Sequence, residues 1–190
     1  MVAKSPLFYY IHTVEIFLPM ENILKERYED RCKSISDINE HLPTLYEYAL
    51  RCDHITEMGV RRGVSTSSFL YANPKKFIAY DIRENGEVRN IFDMCLNNGK
   101  DFHYIIDNVL EVTIEETDFL FIDTEHTYDQ LSQELKLHAN KVRKYIGFHD
   151  TVIYGEQLMK AINEFLDMNG EWKIVHDAKY NNGMVIIEKN

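Results

Sequence analysis

The chain of 190 residues is poor in cysteine, and its three, Cys32, Cys52 and Cys95, are odd in number and widely separated. That excludes a secreted disulfide framework and the paired spacing of a zinc site, and a reducing cytoplasm is the expected home. No long unbroken apolar run occurs. The start, Met1 to Met20, is interrupted by Lys4, Pro6, His12, Glu15 and Pro19, which suits neither a signal peptide nor a membrane span, so no membrane partner is expected. Repeats, low-complexity tracts and Pro/Gly/Ser-rich linkers are also missing, and the length suits one domain. Basic residues are outnumbered 21 to 31, giving a net charge of -10, so the average surface repels phosphate backbones and no nucleic-acid partner is expected. The one dense basic stretch, Lys141-Val142-Arg143-Lys144, reads as the positive end of a helix.

Core material is plentiful: hydrophobic residues make up 45% and aromatics 12%. Up to Cys52 the pattern is helical. Tyr28, Ile35, Ile38, Leu42, Leu45, Tyr46, Ala49 and Leu50 recur at spacings of about three to four, as a helix with one buried stripe requires. Asp37 suits the N-cap of a helix ending near Arg51, with Glu40 completing a capping box. Residues 1–52 are therefore read as an N-terminal helical extension of the same domain. Its aromatic cluster, Phe8, Tyr9, Tyr10 and Phe17, suits a helix packed on the rest.

From residue 53 to 190 short apolar runs alternate with amphipathic stretches. His54 to Met58, Phe77 to Tyr80, Phe102 to Ile106, Phe119 to Ile122 and Tyr145 to Phe148 are strand candidates, mostly with helical patterns between them. This alternation marks an α/β sheet with helices on both faces. Trp172 to His176 and Met184 to Glu188, joined through Asn181-Asn182-Gly183, form a terminal antiparallel hairpin.

Ligand chemistry gathers at the strand ends. The first strand ends in Glu57 and turns through Gly59 and Gly63 into a helix beginning Val64-Ser65-Thr66. Glycines permit a tight turn close to a ligand, and the helix start offers free N–H groups. The spacing is not the Gly-x-Gly-x-x-Gly of a dinucleotide fold, which argues against a pyrophosphate, although two glycines alone also suit an ordinary strand-to-helix turn. Asp81 ends the second strand, where a carboxylate can accept from vicinal ribose hydroxyls or simply cap the strand. Asp107 ends the third, placed for the adenine side of a nucleoside or the start of a turn. The fourth strand ends in Asp123-Thr124-Glu125-His126-Thr127-Tyr128, which leads into a helix to about Lys144. The fifth ends in His149-Asp150. Two carboxylates and an imidazole converging there suit a divalent cation such as magnesium, calcium or manganese, and equally suit polar caps of strand ends.

Together, Ile55 to Thr66, Ala79-Tyr80-Asp81, Phe121 to Tyr128 and Gly147 to Thr151 resemble class I S-adenosylmethionine-dependent methyltransferases. The narrower similarity is to the branch of cephalosporin-hydroxylase-like and macrolide-sugar O-methyltransferases. The resemblance implies a Rossmann-like, mostly parallel, seven-stranded sheet with one antiparallel C-terminal strand. It implies S-adenosylmethionine as cofactor, held by Glu57, Gly59, Gly63, Ser65, Asp81, Asp107 and Asp123. It further implies O-methylation of a hydroxyl on a small-molecule or saccharide acceptor, with His126 as base beside Asp123. Asp123, His149 and Asp150 would ligate Mg²⁺ or another divalent cation, His149 departing from the two oxygen ligands common in metal-dependent relatives. Homo-oligomers occur among those relatives. The alternative is a non-catalytic methyltransferase-fold binding or regulatory module. An NAD(P)-dependent oxidoreductase shares the wound sheet and Asp81 but lacks its third glycine here.

Overall fold

Every apolar run read as a strand is one, most of them extended by a residue or more at one or both ends. The computed structural model describes residues 19–190, so Phe8, Tyr9, Tyr10, Phe17 and His12 lie outside the described residues. The strands are β1 His54–Met58, β2 Lys76–Asp81, β3 Asp101–Ile106, β4 Thr117–Ile122, β5 Val142–His149, β6 Trp172–Ala178 and β7 Met184–Lys189. They form one seven-stranded sheet in the order β3-β2-β1-β4-β5-β7-β6. All neighbours are parallel except β5 with β7 and β6 with β7, so β7 alone runs against the rest. The hairpin before β7 turns through Asn181 and Asn182 in the left-handed region, as the Asn-Asn-Gly sequence requires.

The helices are α1 Met20–Lys33, α2 Leu42–Ala49, α3 Val64–Ala72, α4 Gly86–Asn97, α5 Tyr128–His138 and α6 Gly155–Met168. Alternate strand residues feed two cores. Phe77, Ala79, Phe119 and Phe121 pack with α1 to α4, while Ile78, Tyr80, Leu120 and Ile122 pack with α5 and α6. Helix α3 has no polar face because Ser65, Thr66, Ser67 and Ser68 are all buried. Their small side chains let it lie between the sheet and α2, and Ser68 Oγ donates to the Leu42 carbonyl at 3.1 Å. Among the described residues no helix is long and apolar enough to cross a membrane.

Three local expectations are corrected. The helix before β1 starts at Leu42, after a 3₁₀ turn Asn39–His41, and the capping box does not form. Ser36 Oγ accepts from the Asn39 N–H at 3.0 Å, while the Asp37 carboxylate turns away to Arg61. Ile35 falls in the break between α1 and α2 and is 99% exposed rather than part of a buried stripe. Helix α5 stops at His138, and Val142, Arg143 and Lys144 belong to β5. Pairing of Val142 with Thr117 overrides the helical pattern, and Arg143 lies 3.0 Å from the buried Asp118 carboxylate instead of at a helix end.

Candidate active site

The order of the sheet reverses direction between β1 and β4, and the loops leaving the carboxyl ends of β1, β2, β4 and β5 meet there. Gly59 turns the chain out of β1 at φ 86°, and a Cβ there would stand 2.0 Å from the Asp123 carbonyl oxygen. Only glycine allows the two loops to touch in this way. Val60 and Arg61 then donate their N–H groups to Asp81 Oδ2 at 2.9 and 2.8 Å, and Arg83 N–H donates to Asp81 Oδ1 at 2.9 Å. Asp81 thus shapes the turn with three of the roughly four acceptor positions of a carboxylate. Gly63, at φ 67°, opens α3 with no side-chain cap.

Two hollows flank Arg61. A cleft of about 600 Å³ is lined by Gly59, Asp81, Asp107, Asp123 and Gln130, and a smaller one of about 340 Å³ by Asp37, Arg62, Ser65 and Asp123. Arg61 and Asp123 border both, and Arg61 Nη1 reaches Asp37 Oδ2 at 2.7 Å across the divide. Glu57 lies outside the cleft. It is fully buried beneath the turn, where Ser65 and Thr66 donate their hydroxyls to its two oxygens. Burial pushes its carboxyl up to about 8 despite those two hydrogen bonds.

Beside Asp123 the ends of β4 and β5 form a compact polar cluster. His126 Nε2 stands 2.8 Å from Asp150 Oδ2 and 3.4 Å from Asp123 Oδ1, with the Tyr154 ring stacked on the imidazole at 4.6 Å. Asp150 has φ 59°, a left-handed conformation uncommon for a residue with a Cβ, and Asn182 Nδ2 donates to its other oxygen at 2.8 Å. His149 donates Nε2–H to the Asp37 carbonyl at 2.9 Å, which leaves Nδ1 facing Asp123 at 3.3 Å and Asp150 at 3.6 Å. Burial works to raise the Asp123 carboxyl, but hydrogen bonds from both imidazoles outweigh it and hold it down to about 2. The Asp123 and Asp150 carboxylates hold His126 as an imidazolium, up to about 9. His149 is raised too, its burial outweighed by the same two carboxylates.

Among the described residues, Asp123, His126 and Asp150 bring one ligand atom each to within 4.8 Å of one another. Two carboxylates and an imidazole at that spacing fit a divalent cation, provided the His126 proton leaves first. The sequence had assigned the third ligand to His149 and the base to His126. In the fold His126 stands in the ligand geometry, and His149, which is 1% exposed, stands behind it. Arg61, Tyr154 and Glu134 were missed. Glu134 left a trace in the sequence: it falls on the apolar stripe of α5, with Leu131, Leu135 and His138, where a carboxylate is out of place.

No protein-family model matches the chain, and no curated protein matches it by sequence. Solved structures do. A Podospora anserina methyltransferase, PaMTH1, solved with bound S-adenosylhomocysteine, aligns with a TM-score of 0.61 at 14% identity, over 99% of this chain and 100% of that one. The N-methyltransferase NodS from Bradyrhizobium japonicum WM9, in complex with S-adenosylhomocysteine, aligns at 0.61 and 11% identity over 90% and 98%. A candidate caffeoyl-CoA O-methyltransferase from Staphylococcus aureus aligns at 0.62 and 15% identity over 90% and 92%. The chain has the fold of class I S-adenosylmethionine-dependent methyltransferases, with the seven-stranded sheet and single reversed strand that the resemblance implied.

Proposed function

We propose that the protein is an S-adenosylmethionine-dependent methyltransferase acting on a hydroxyl oxygen of a small molecule or saccharide. The observation that carries this reading is the position of Asp123, which borders the cleft of Gly59, Asp81 and Asp107 on one side and contacts His126 and His149 on the other. A cleft suited to a nucleoside and a group suited to proton transfer would then share a wall. S-adenosylmethionine would supply an electrophilic methyl group on a sulfonium. The chain would contribute position: the Gly59 turn would bring backbone close to the ligand, Asp107 and the acceptor position that the turn leaves on Asp81 would serve adenine and ribose, and Asp123, which borders the cleft, would present negative charge to the cationic centre. His126 Nε2 would accept the hydroxyl proton only after giving up the proton that Asp123 and Asp150 hold on it.

Asp123, Asp150 and His126 would also hold Mg²⁺ or another divalent cation, which would lower the pKa of a bound hydroxyl. The two uses of His126 exclude one another, because a nitrogen that ligates a metal cannot accept a proton. Titration calorimetry with S-adenosylhomocysteine, followed by transfer of labelled methyl to a panel of sugars, polyketides and catechols with and without EDTA, tests the reading. Absence of cofactor binding at millimolar concentration overturns it. Transfer that survives EDTA excludes a required metal, and its loss in His126→Ala then supports His126 as base. Transfer lost with EDTA and restored by Mg²⁺ supports the metal, with His126→Ala against His149→Ala deciding which imidazole holds it.

A further inference from the structure

Glu134 is a carboxylate buried inside an apolar helix face, and nothing in the proposed reaction uses it. It is 0% exposed on α5, directly under the loop that carries His126. Its Oε1 accepts from Thr124 Oγ1 at 2.7 Å and from Gln130 Nε2 at 2.8 Å, while its Oε2 is buried with no hydrogen-bond partner among the described residues. Thr124 and Gln130 both line the 600 Å³ cleft, so one oxygen of Glu134 holds two parts of the cleft wall from behind. Beneath the reacting end lies a cavity of about 10 Å³, bordered by Glu134, Thr124, Asp123, His126 and His149. Apart from Glu125, the rest of its lining is apolar, Ile122, Leu131, Phe148 and Leu158, and of its polar groups Glu134 Oε2 is the buried atom left unpaired among the described residues. The volume is the scale of one water molecule, which needs two to four polar partners.

An unpaired buried carboxylate oxygen costs free energy, so a fold keeps one only where something offsets the cost. We propose that Glu134 is a positioning residue for the reacting end of the cleft: Oε1 fixes the 123–126 loop and Gln130, and Oε2 fixes a single water beneath Asp123, His126 and His149. Burial pushes the Glu134 carboxyl up to about 7 against the hydrogen bonds from Thr124 and Gln130, in keeping with a group enclosed in the core. The role is one of geometry. It requires two acceptor or donor positions at the right place rather than a charge, and an amide of the same shape supplies them.

The test uses the full-length protein and two readouts, the ring ¹H–¹³C resonance of His126 and the affinity for S-adenosylhomocysteine. Glu134→Ala shifts the His126 resonance and weakens S-adenosylhomocysteine about ten-fold, the scale of one or two lost hydrogen bonds. Glu134→Gln restores both, to within about three-fold in affinity. Thr124→Val, which leaves Glu134 in place, moves the same resonance and serves if the alanine variant does not fold. A role confined to helix packing would instead move the ring of His138, four residues along α5, and leave His126 where it is. The proposal is overturned if the His126 resonance in Glu134→Ala and Thr124→Val coincides with wild type, or if Glu134→Gln is as impaired as Glu134→Ala. Only the affinity arm rests on the methyltransferase reading. Should the wild type bind no S-adenosylhomocysteine, that reading falls while the resonance still decides the role of Glu134.

Discussion

Glu57 and Gly59 stand two residues apart and answer to different constraints, one to burial and one to backbone conformation. Because the Glu57 carboxyl is raised to about 8 in the folded protein from 4.5, the unfolded chain loses its proton first as pH rises. Its stabilising contribution is therefore full below about pH 4.5 and is lost progressively up to about pH 8. We expect stability from urea titrations to fall over this window, and Glu57→Gln to remove of the order of a few kcal/mol of that fall. Equal slopes in the two proteins would show that Glu57 does not titrate as described. For Gly59→Ala, the added methyl would meet the Asp123 carbonyl oxygen at 2.0 Å in a conformation L-residues avoid. The expected cost is about 2 kcal/mol or more in chemical denaturation, with loss of S-adenosylhomocysteine binding, because the β1 and β4 loops must part. Residue types at strand ends made Asp81, Asp123, His126, His149 and Asp150 legible in the sequence. Glu57 was legible as a position but not in its use, since nothing local says that Ser65 and Thr66 turn inward to meet it.

Helix α4 illustrates what an element owes to a single side chain. Asn85 caps it by accepting from the Glu87 and Val88 N–H groups at 3.0 and 3.2 Å. Asn85→Ala should cost about 1 kcal/mol in urea titrations, with the far-ultraviolet spectrum of the folded state unchanged. The elements misread from sequence fail for a common reason. Asp37 with Glu40 has the local pattern of a capping box, but Arg61, 24 residues on, competes for the Asp37 carboxylate at 2.7 Å. Val142 to Lys144 continue a helical pattern, but Val142 pairs with Thr117 of β4, and Arg143 and Lys144 are carried into the strand through the register shift before Tyr145 meets Phe119. In each case a distant partner outweighed a local preference worth a fraction of a kcal/mol per residue.

At the scale of the whole molecule, function depends on strand order. Asp81 at the end of β2 and Asp123 just after β4 face one cleft because both strands neighbour β1. If that cleft holds the cofactor, S-adenosylhomocysteine at 100 times its Kd stabilises the fold by about 2.7 kcal/mol, a rise in melting temperature of roughly 5–10 °C for a chain of this size. Differential scanning fluorimetry measures it, and Asp81→Ala should abolish the rise relative to its own unliganded baseline. A wild-type protein that melts at the same temperature with and without the ligand would remove the cleft from consideration. The sequence alone determined the number, type and chain order of the strands, since hydrophobic periodicity is a local property read within a few residues. It also determined which titratable groups stand at their carboxyl ends. Only the tertiary structure decided how those groups share their hydrogen bonds. The Asp37 carbonyl takes Nε2 of His149 from 112 residues away, so His149 withdraws behind the carboxylates and His126 comes forward between Asp123 and Asp150. Such pairings follow from how the loops are packed together, and no period in the sequence records them.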